Sequence, residues 1–314
     1  MRYSIGIDIG GTNTMLGLAD ENGQIVQTSN FKTNSFESSA DYITHLSKKI
    51  NEMLNDTISN TAIFELIGIG IGAPNANFYT GCIVEAPNLP WKGTIHLVDE
   101  LKKKFDTNII MTNDANAAAI GEKIYGKAKG LNDFLVVTLG TGVGSGFVTN
   151  GNILYGSTGF AGELGHTSVL KDGRPCNCGR RGCLETYCSA TGIVRTVREW
   201  LSEGATSSLK DSPELSSADI YKAAIAGDEL ANRAFEYTGD LLGYQLAQAV
   251  AITSPSHIFL FGGLANAGDL ILSPTRRSFD NHVLNIFSNT VQIEISELNN
   301  SSNAAILGAA ALVM

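Results

Sequence analysis

The sequence lacks features that would place it in a membrane, in a secretory pathway or on nucleic acid. No apolar stretch reaches the roughly 18 residues that a membrane-spanning helix needs. The chain passes from Met1–Tyr3 directly into a predicted strand, without the apolar segment and cleavage site of a secretory signal. Its longest basic run, Lys102–Lys104, fits the solvated face of a predicted helix, and the formal net charge is −9. We therefore expect a cytoplasmic protein that binds neither membranes nor nucleic acid.

The composition indicates a globular protein with more than one domain. The chain has 314 residues, of which 43% are hydrophobic, and this is enough for a sizeable core. It has five cysteines, an odd number, and we expect no disulfides in a reducing compartment. Clustered cysteines are then candidate metal ligands or catalytic groups. The 34 glycines gather in a few loops, where they permit turns or a close approach to a ligand.

A weak internal repeat organises the chain. Residues 5–23 and 135–152 each read as a strand, a Gly/Thr turn, a second strand, an Asn-Gly-type turn and a third strand. The repeat predicts two related α/β domains, each opening with a hairpin. We expect boundaries near Asp114 and Asn299, which give a smaller domain of 1–114 plus 299–314 and a larger domain of 115–298.

Hydrophobic periodicity predicts the other elements. Helices are predicted at 38–54, 96–105, from 115 onward, 191–201, 218–226, 229–252 and 303–314. Strands are predicted at 66–70, 109–112 and 257–261.

Two glycine loops, Asp8–Asn13 and Gly140–Gly144, are candidate phosphate sites. Neither has the Gly-Lys-Ser/Thr ending of a Walker loop, and strands rather than dinucleotide-type helices follow them. Either loop alone could be only a hairpin turn, but the repeated frame favours phosphate binding by backbone N–H groups and hydroxyls. A carboxylate beside phosphates requires a cation, so Asp8 is assigned to hydrated Mg²⁺. The predicted phosphate-site residues are Asp8, Gly10, Gly11, Thr12, Asn13, Thr141 and Gly142.

The pair Asn113-Asp114 lies between a predicted strand and an Ala-rich helix. One interpretation is that one of the two residues caps the helix. The other is that Asp114 accepts the proton of an attacking hydroxyl group. Both can hold together, since we expect the helix N-terminus to lower the pKa of Asp114 and keep it ionised.

A cluster of one histidine and three cysteines predicts a structural zinc site. Four N/S ligands within eighteen residues suit a closed tetrahedral centre, although unliganded thiols are the alternative. A closed centre has no open position for water, so the zinc is not expected to be the catalyst. The predicted ligands are His166, Cys176, Cys178 and Cys183.

Two carboxylates, Glu163 and Glu185, flank this cluster in the sequence. They are either ligands for the hydroxyl groups of a substrate or ordinary surface residues. The second ring nitrogen of His166 can face a substrate hydroxyl while the first binds zinc.

Taken together, these motifs resemble the ROK family of sugar kinases and repressors over nearly the whole chain. The most specific of them is Cys-x-Cys-Gly-x-x-Gly-Cys-x-Glu at 176–185. The stretches 73–77 and 86–91 look like the bacterial glucokinases of the family, although Pro74-Asn75 stands where many members have Pro-Gly. The resemblance implies an actin/hexokinase-like (ribonuclease H-like) α/β fold with two domains and the active site in the interdomain cleft.

The resemblance also implies roles for particular residues. Asp114 would be the catalytic base, and ATP would bind the two glycine loops, with its adenosine near Gly262-Gly263. The sugar-binding residues would be Asn88, Asn113, Glu163, His166 and Glu185. A homodimer that phosphorylates a hexose, most simply glucose to glucose 6-phosphate, is the resulting expectation.

Three alternatives stay open at this point. Within the same family, N-acetylmannosamine kinase and fructokinase are the nearest enzymes. A sugar-responsive transcriptional repressor belongs to a different class, and it is disfavoured because only seven residues precede Asp8.

Overall fold

The computed structural model describes residues 1–60, 64–300 and 303–314. The strands are β1 Arg2–Ile9, β2 Asn13–Asp20, β3 Ile25–Lys32, β4 Glu65–Gly72, β5 Ala76–Asn77, β6 Cys82–Val84, β7 Thr94–Ile95, β8 Asn108–Thr112, β9 Phe134–Leu139, β10 Val143–Thr149, β11 Asn152–Ile153, β12 His257–Phe261 and β13 Gln292–Ile295. The α-helices are α1 Ser39–Asn60, α2 Leu97–Lys102, α3 Asp114–Tyr125, α4 Glu185–Cys188, α5 Ala190–Ser202, α6 Ser217–Ile225, α7 Glu229–Thr253, α8 Asp269–His282 and α9 Ala304–Ala310.

The first compact unit consists of Met1–Gly130, Ile153–Ala161 and Asn300–Met314. Its sheet has the order β3-β2-β1-β4-β8, in which β1 and β2 are antiparallel and β4 and β8 run parallel to β1. Helix α9 lies directly on this sheet because two strand residues are glycines. A Cβ atom at Gly6 would lie 2.0 Å from the carbonyl oxygen of Ile306, and one at Gly70 would lie 1.8 Å from that of Ala309.

The second compact unit consists of Leu131–Asn152 and Gly162–Asn299. The order of its sheet is β11-β10-β9-β12-β13, with β9 and β10 antiparallel and β12 and β13 parallel to β9. Helices α7 and α8 pack closely on each other, and Gly243 allows this because a Cβ atom there would meet the carbonyl oxygen of Thr275 at 2.2 Å. The two sheets share one strand order, and in each the opening hairpin is antiparallel while the last two strands run parallel to its first strand, so the predicted repeat is confirmed.

Most predicted elements are present, with bounds that shift by a few residues. Helix α1 extends to residue 60 rather than 54, and β12 has the predicted bounds. Helix α8 and strand β13 were not predicted, and α8 contains Pro274 and a polar sequence that weakens its periodicity. Among the described residues, no helix combines the length and apolar character needed to cross a membrane.

The division into domains of 1–114 plus 299–314 and of 115–298 remains a prediction. The compact units differ from them in two stretches, because 115–130 and 153–161 belong to the first unit. In that unit α3 packs closely on α9, and a Cβ atom at Gly308 would lie 2.8 Å from the carbonyl oxygen of Ala117. Residues 61–63 and 301–302, which fall within the predicted smaller domain, lie outside the described residues.

Candidate active site

The first glycine loop joins β1 to β2 and is closed by its own backbone. The Gly10 N–H donates to the carbonyl oxygen of Asn13 at 2.9 Å. A Cβ atom at Gly11 would lie 2.3 Å from the carbonyl oxygen of Asn88, so a glycine is required where the two segments touch. Thr12 and Asn13 are exposed at the tip. The fold thus brings the predicted phosphate loop against Asn88, one of the predicted sugar residues.

The beginning of α3 decides which residue caps the helix. The Asn113 side-chain oxygen accepts from the Asn116 N–H at 2.7 Å, so Asn113 is the N-cap. Asp114 is the first helical residue, and its carboxylate accepts from the next N–H, that of Ala115, at 2.9 Å. Asp114 is exposed at the surface, although the surrounding protein desolvates its carboxyl group. Because Asn113 fills the capping position, the Asp114 carboxylate is left accessible for another role.

The carboxyl groups of Asp8 and Asp114 are coupled electrostatically. Burial and, to a smaller extent, the negative charge of Asp114 together raise the pKa of Asp8 from 3.8 to about 6. Desolvation by the surrounding protein also raises the pKa of Asp114, although the Ala115 N–H opposes this shift. The expectation that the helix N-terminus would lower the pKa of Asp114 was therefore wrong in its net direction, because desolvation outweighs the N–H groups.

The raised pKa of Asp8 predicts that Asp8→Asn stabilises the ligand-free protein. Since folding raises the pKa of Asp8, the folded state holds the proton more tightly, and stability falls as pH rises from about 4 to about 6. A shift of this size corresponds to roughly 3 kcal/mol at pH 8. We expect Asp8→Asn to recover on the order of 2–3 kcal/mol at pH 8 and almost nothing at pH 4.

Urea unfolding at both pH values, without divalent cations, measures this difference. Asp106→Asn is the matched control because Asp106 is an exposed carboxylate in the same unit. A variant Asp8→Asn with the same pH dependence as the control contradicts the assignment.

The second glycine loop lies at the beginning of helix α5. The Gly140 N–H donates to the carbonyl oxygen of Gly142 at 3.0 Å and closes the turn. The Ala190 N–H donates to the Gly140 oxygen at 2.8 Å, and the Thr191 hydroxyl donates to the Thr141 oxygen at 2.8 Å. These contacts fix the loop beside a helix N-terminus, which carries partial positive charge and attracts phosphate groups.

Glu185 connects this loop to the cysteine cluster. One carboxylate oxygen accepts from the Val143 N–H at 3.1 Å, and the other lies 3.8 Å from the Cys176 Sγ. A Cβ atom at Gly142 would lie 2.1 Å from the carboxylate, so a larger residue there would displace the Glu185 side chain. The structure therefore places this predicted sugar ligand between the phosphate loop and the cysteines.

The predicted zinc ligands converge. Their four ligand atoms all lie within 4.8 Å of one another. The Cys178 and Cys183 sulfurs are 3.6 Å apart, and the Cys176 sulfur lies 3.7 Å from the His166 Nδ1. A tetrahedral zinc with Zn–S near 2.3 Å and Zn–N near 2.0 Å requires ligand separations of about 3.5–3.8 Å. The donor set and these two separations fit a structural zinc ion.

The second ring nitrogen of His166 is directed to a different group. His166 Nε2 lies 4.0 Å from the Glu163 Oε2. The turn that carries both residues packs on β10, and a Cβ atom at Gly165 would lie 1.9 Å from the carbonyl oxygen of Val143. The His166 imidazole therefore has Glu163 near its Nε2 atom and the cysteine cluster near its Nδ1 atom.

The Gly262-Gly263 turn follows β12 and is held by a residue that the sequence did not reveal. Gly262 has φ of +104°, a conformation that favours glycine. Its N–H donates to the Asn299 Oδ1 at 2.6 Å, and the Asn299 amide donates back to its carbonyl oxygen at 3.2 Å. Thirty-seven residues separate the partners, so no local pattern pointed to Asn299.

Arg174 is a second residue that the sequence did not reveal. Its buried side chain donates to the Thr186 carbonyl oxygen at 2.7 Å, to the Thr196 hydroxyl at 2.9 Å and to the Glu199 carboxylate. The guanidinium also lies 4.4 Å from the centre of the Tyr187 ring. Arg174 thus attaches the cysteine loop to α4 and α5, and only its position two residues before Cys176 could have suggested this role.

The predicted site residues fall into two sets, one in each compact unit. The first unit contains Asp8, Gly10, Gly11, Thr12, Asn13, Asn88, Asn113 and Asp114. The second contains Thr141, Gly142, Glu163, His166, Cys176, Cys178, Cys183, Glu185, Gly262 and Gly263.

The whole chain is similar to proteins of one family. The sequence profile of the ROK family matches residues 4–314. The glucokinase of Halalkalibacterium halodurans is 36% identical over 99% of this chain and 95% of its own length. The xylose repressor of Bacillus subtilis is 29% identical over 99% of this chain and 77% of its own length. A crystal structure of a ROK family glucokinase from Streptomyces griseus, in complex with glucose and AMPPNP, is 29% identical, with a TM-score of 0.80, and the match covers 99% of this chain and 98% of that one.

Proposed function

The chain belongs to the ROK family and has its actin/hexokinase-like fold, and we propose that it is an ATP-dependent hexokinase whose acceptor is glucose. The observation that carries this proposal is the arrangement at the start of α3. Asn113 caps the helix, so the Asp114 carboxylate remains accessible and lies close enough to Asp8 to raise its pKa. The similarity to glucokinases supports the same activity.

In the first unit, Asp114 accepts the proton of the attacking sugar hydroxyl while the phosphoryl group is transferred. Such transfer has a loose transition state, and it depends mainly on positioning and charge. The raised pKa of Asp114 makes it a better base than an ordinary carboxylate. The amide of Asn113 and the backbone of Asn88 position the sugar, and the N–H groups of Gly11–Asn13 hold the phosphates.

Asp8 and Asp114 are two partly desolvated carboxylates that interact electrostatically, and such a pair fits a divalent cation. When bound beside Asp8, Mg²⁺ supplies positive charge against the ATP phosphates. The cation would also offset the repulsion that raises the pKa of Asp8.

In the second unit, the loop Gly140–Gly144 binds phosphate through its backbone, and the turn at Gly262-Gly263 accommodates the adenosine. Glu163, His166 and Glu185 hydrogen-bond sugar hydroxyls. His166, Cys176, Cys178 and Cys183 would hold a zinc ion, which would fix the orientation of the imidazole and keep Nε2 beside Glu163. Such a zinc ion would be structural, because four protein ligands would leave no position open for water.

A coupled ADP-release assay over a panel of sugars tests the function. The panel contains glucose, mannose, fructose, N-acetylglucosamine and N-acetylmannosamine, and Asp114→Asn provides the background. We expect the highest kcat/KM with glucose. A higher value with N-acetylmannosamine or fructose assigns the kinase to that sugar, and equal or absent turnover with all five contradicts the glucokinase proposal.

A sugar-binding regulator is the second candidate, and the similarity to the xylose repressor of Bacillus subtilis supports it. The two candidates differ in the use of ATP. A regulator binds sugar without consuming ATP, whereas the proposed kinase releases one ADP for each sugar phosphorylated. Sugar binding in calorimetry with no ADP release in the panel would favour the regulator.

A further inference from the structure

Tyr42 on helix α1 is a buried residue that connects two segments of the candidate site. The residue is 1% exposed, and its hydroxyl lies 2.9 Å from the Thr14 hydroxyl, with which it shares a hydrogen bond. The ring of Tyr42 packs against that of Trp91, with the two ring centres 4.6 Å apart. One side chain therefore touches both the strand after the first glycine loop and the segment that contains Asn88.

The hydroxyl end continues into the phosphate loop through a buried network. Thr14 follows the loop directly, and its hydroxyl lies 2.8 Å from that of Thr33. The Thr33 N–H in turn donates to the carbonyl oxygen of Thr12 at 2.9 Å. Thr14 and Thr33 are both fully buried, so water does not compete for these bonds. The network therefore supports the loop on its protein-facing side, whereas Thr12 itself is exposed.

The ring end continues into the segment of residues 86–91, which we call the sugar segment. Trp91 ends this segment, and its indole N–H donates to the carbonyl oxygen of Phe36 at 2.9 Å. Three residues earlier, the carbonyl oxygen of Asn88 lies where a Cβ atom of Gly11 would be, at 2.3 Å. The sugar segment therefore contacts the phosphate loop twice, directly at Gly11 and indirectly through Tyr42.

We propose that Tyr42 is a positioning residue that couples nucleotide binding at the first glycine loop to sugar binding at the sugar segment. The inference rests on the proposed function, because it concerns the same two substrates. A phosphate group that orders Thr12 also orders Thr14 and the Tyr42 hydroxyl. The Tyr42 ring then holds Trp91, and Asn88 is presented to the sugar in a fixed position. Each substrate thus finds the other's segment already ordered and binds more tightly.

The chain contains a matched control for this role. Tyr125 belongs to the same unit, and its buried hydroxyl has no hydrogen-bond partner among the described residues. Tyr42→Phe removes a hydroxyl that belongs to the network, whereas Tyr125→Phe removes one that does not. Both substitutions keep the ring, so they differ in the hydrogen bonds that are lost.

The experiment is calorimetric titration of the folded variants with the best sugar of the panel, with and without MgAMPPNP. In the wild type we expect the nucleotide to tighten sugar binding by at least about fivefold. In Tyr42→Phe we expect this ratio to fall below about twofold, while sugar affinity without nucleotide changes by less than about twofold. Tyr125→Phe should keep the wild-type ratio. A purely structural role would lower the melting temperature of Tyr42→Phe but leave the ratio unchanged.

A second pair of variants keeps the test decisive if Tyr42→Phe does not fold. Thr14→Val removes the network hydroxyl and should lose the coupling, whereas Thr14→Ser retains a hydroxyl and should preserve it. A wild-type ratio in Tyr42→Phe or in Thr14→Val overturns the coupling role alone. A wild-type protein that binds neither sugar nor MgAMPPNP overturns the proposed function, and this inference with it.

Discussion

Asp114→Asn should reduce kcat by a factor of about 10² to 10⁴, because positioned general bases contribute rate enhancements of this size. Sugar affinity should stay within about tenfold of the wild type, a difference of ~1.4 kcal/mol. Asparagine keeps the shape of aspartate at the first position of α3, and the N-cap bond from Asn113 to Asn116 does not involve the substituted side chain. Turnover and binding should therefore separate in this variant.

Two measurements test the separation. ADP release at saturating sugar and MgATP gives kcat, and calorimetry gives the sugar affinity. Glu229→Gln is the matched control, since Glu229 is an exposed carboxylate at the first position of α7 and takes no part in the candidate site. If Asp114→Asn retained turnover near that of the control, Asp114 would not be the base.

The wild-type pH profile offers an independent check on the same residue. Since desolvation raises the pKa of Asp114, the folded enzyme takes up the catalytic proton at a higher pH than an ordinary carboxyl group would. The acid limb of the kcat profile should therefore lie above the usual titration range of aspartate, and kcat should rise with pH across it.

Local features of this fold were accessible from the sequence. The hairpin at Gly10–Asn13 and the turn at Gly140–Gly144 are set by neighbouring residues, and short-range turn chemistry predicts them. The zinc ligands are also close in sequence, so a metal cluster could be read directly from the spacing of histidine and cysteine. The repeat of the hairpin further indicated two sheets of one type, which the strand orders confirm.

Features that depend on distant segments were not accessible. The contact of Gly11 with Asn88 and the bond of Gly262 to Asn299 each join residues far apart in the chain. The pKa of Asp114 shows the same limitation. Its helix position argued for a lowered value, but the extent of desolvation is a property of the assembled fold and reverses the direction. Helix α8 was not predicted because it contains an interior proline, which disfavours helix formation. Its packing against α7 stabilises the helix despite that proline.

Cys178→Ser should abolish stable zinc binding and weaken sugar binding through His166. Structural zinc contributes apparent free energies of about 10–16 kcal/mol in zinc-finger peptides, so the loss of one thiolate removes a large part of the energy that holds such a loop. Cys178 is the most exposed of the four ligands, and a serine there adds little steric disturbance. Without the metal, the imidazole would lose the bond proposed to keep Nε2 beside Glu163.

We expect purified Cys178→Ser to contain less than about one tenth of the wild-type zinc, and the KM for sugar to rise by more than about tenfold. Metal analysis after gel filtration measures the first effect, and steady-state kinetics measures the second. Cys82→Ser is the matched control, since Cys82 is a buried thiol in the first unit and lies outside the cluster. A full zinc complement in Cys178→Ser would exclude Cys178 as a ligand. Zinc loss with an unchanged KM would instead show that the metal does not orient His166 for sugar binding.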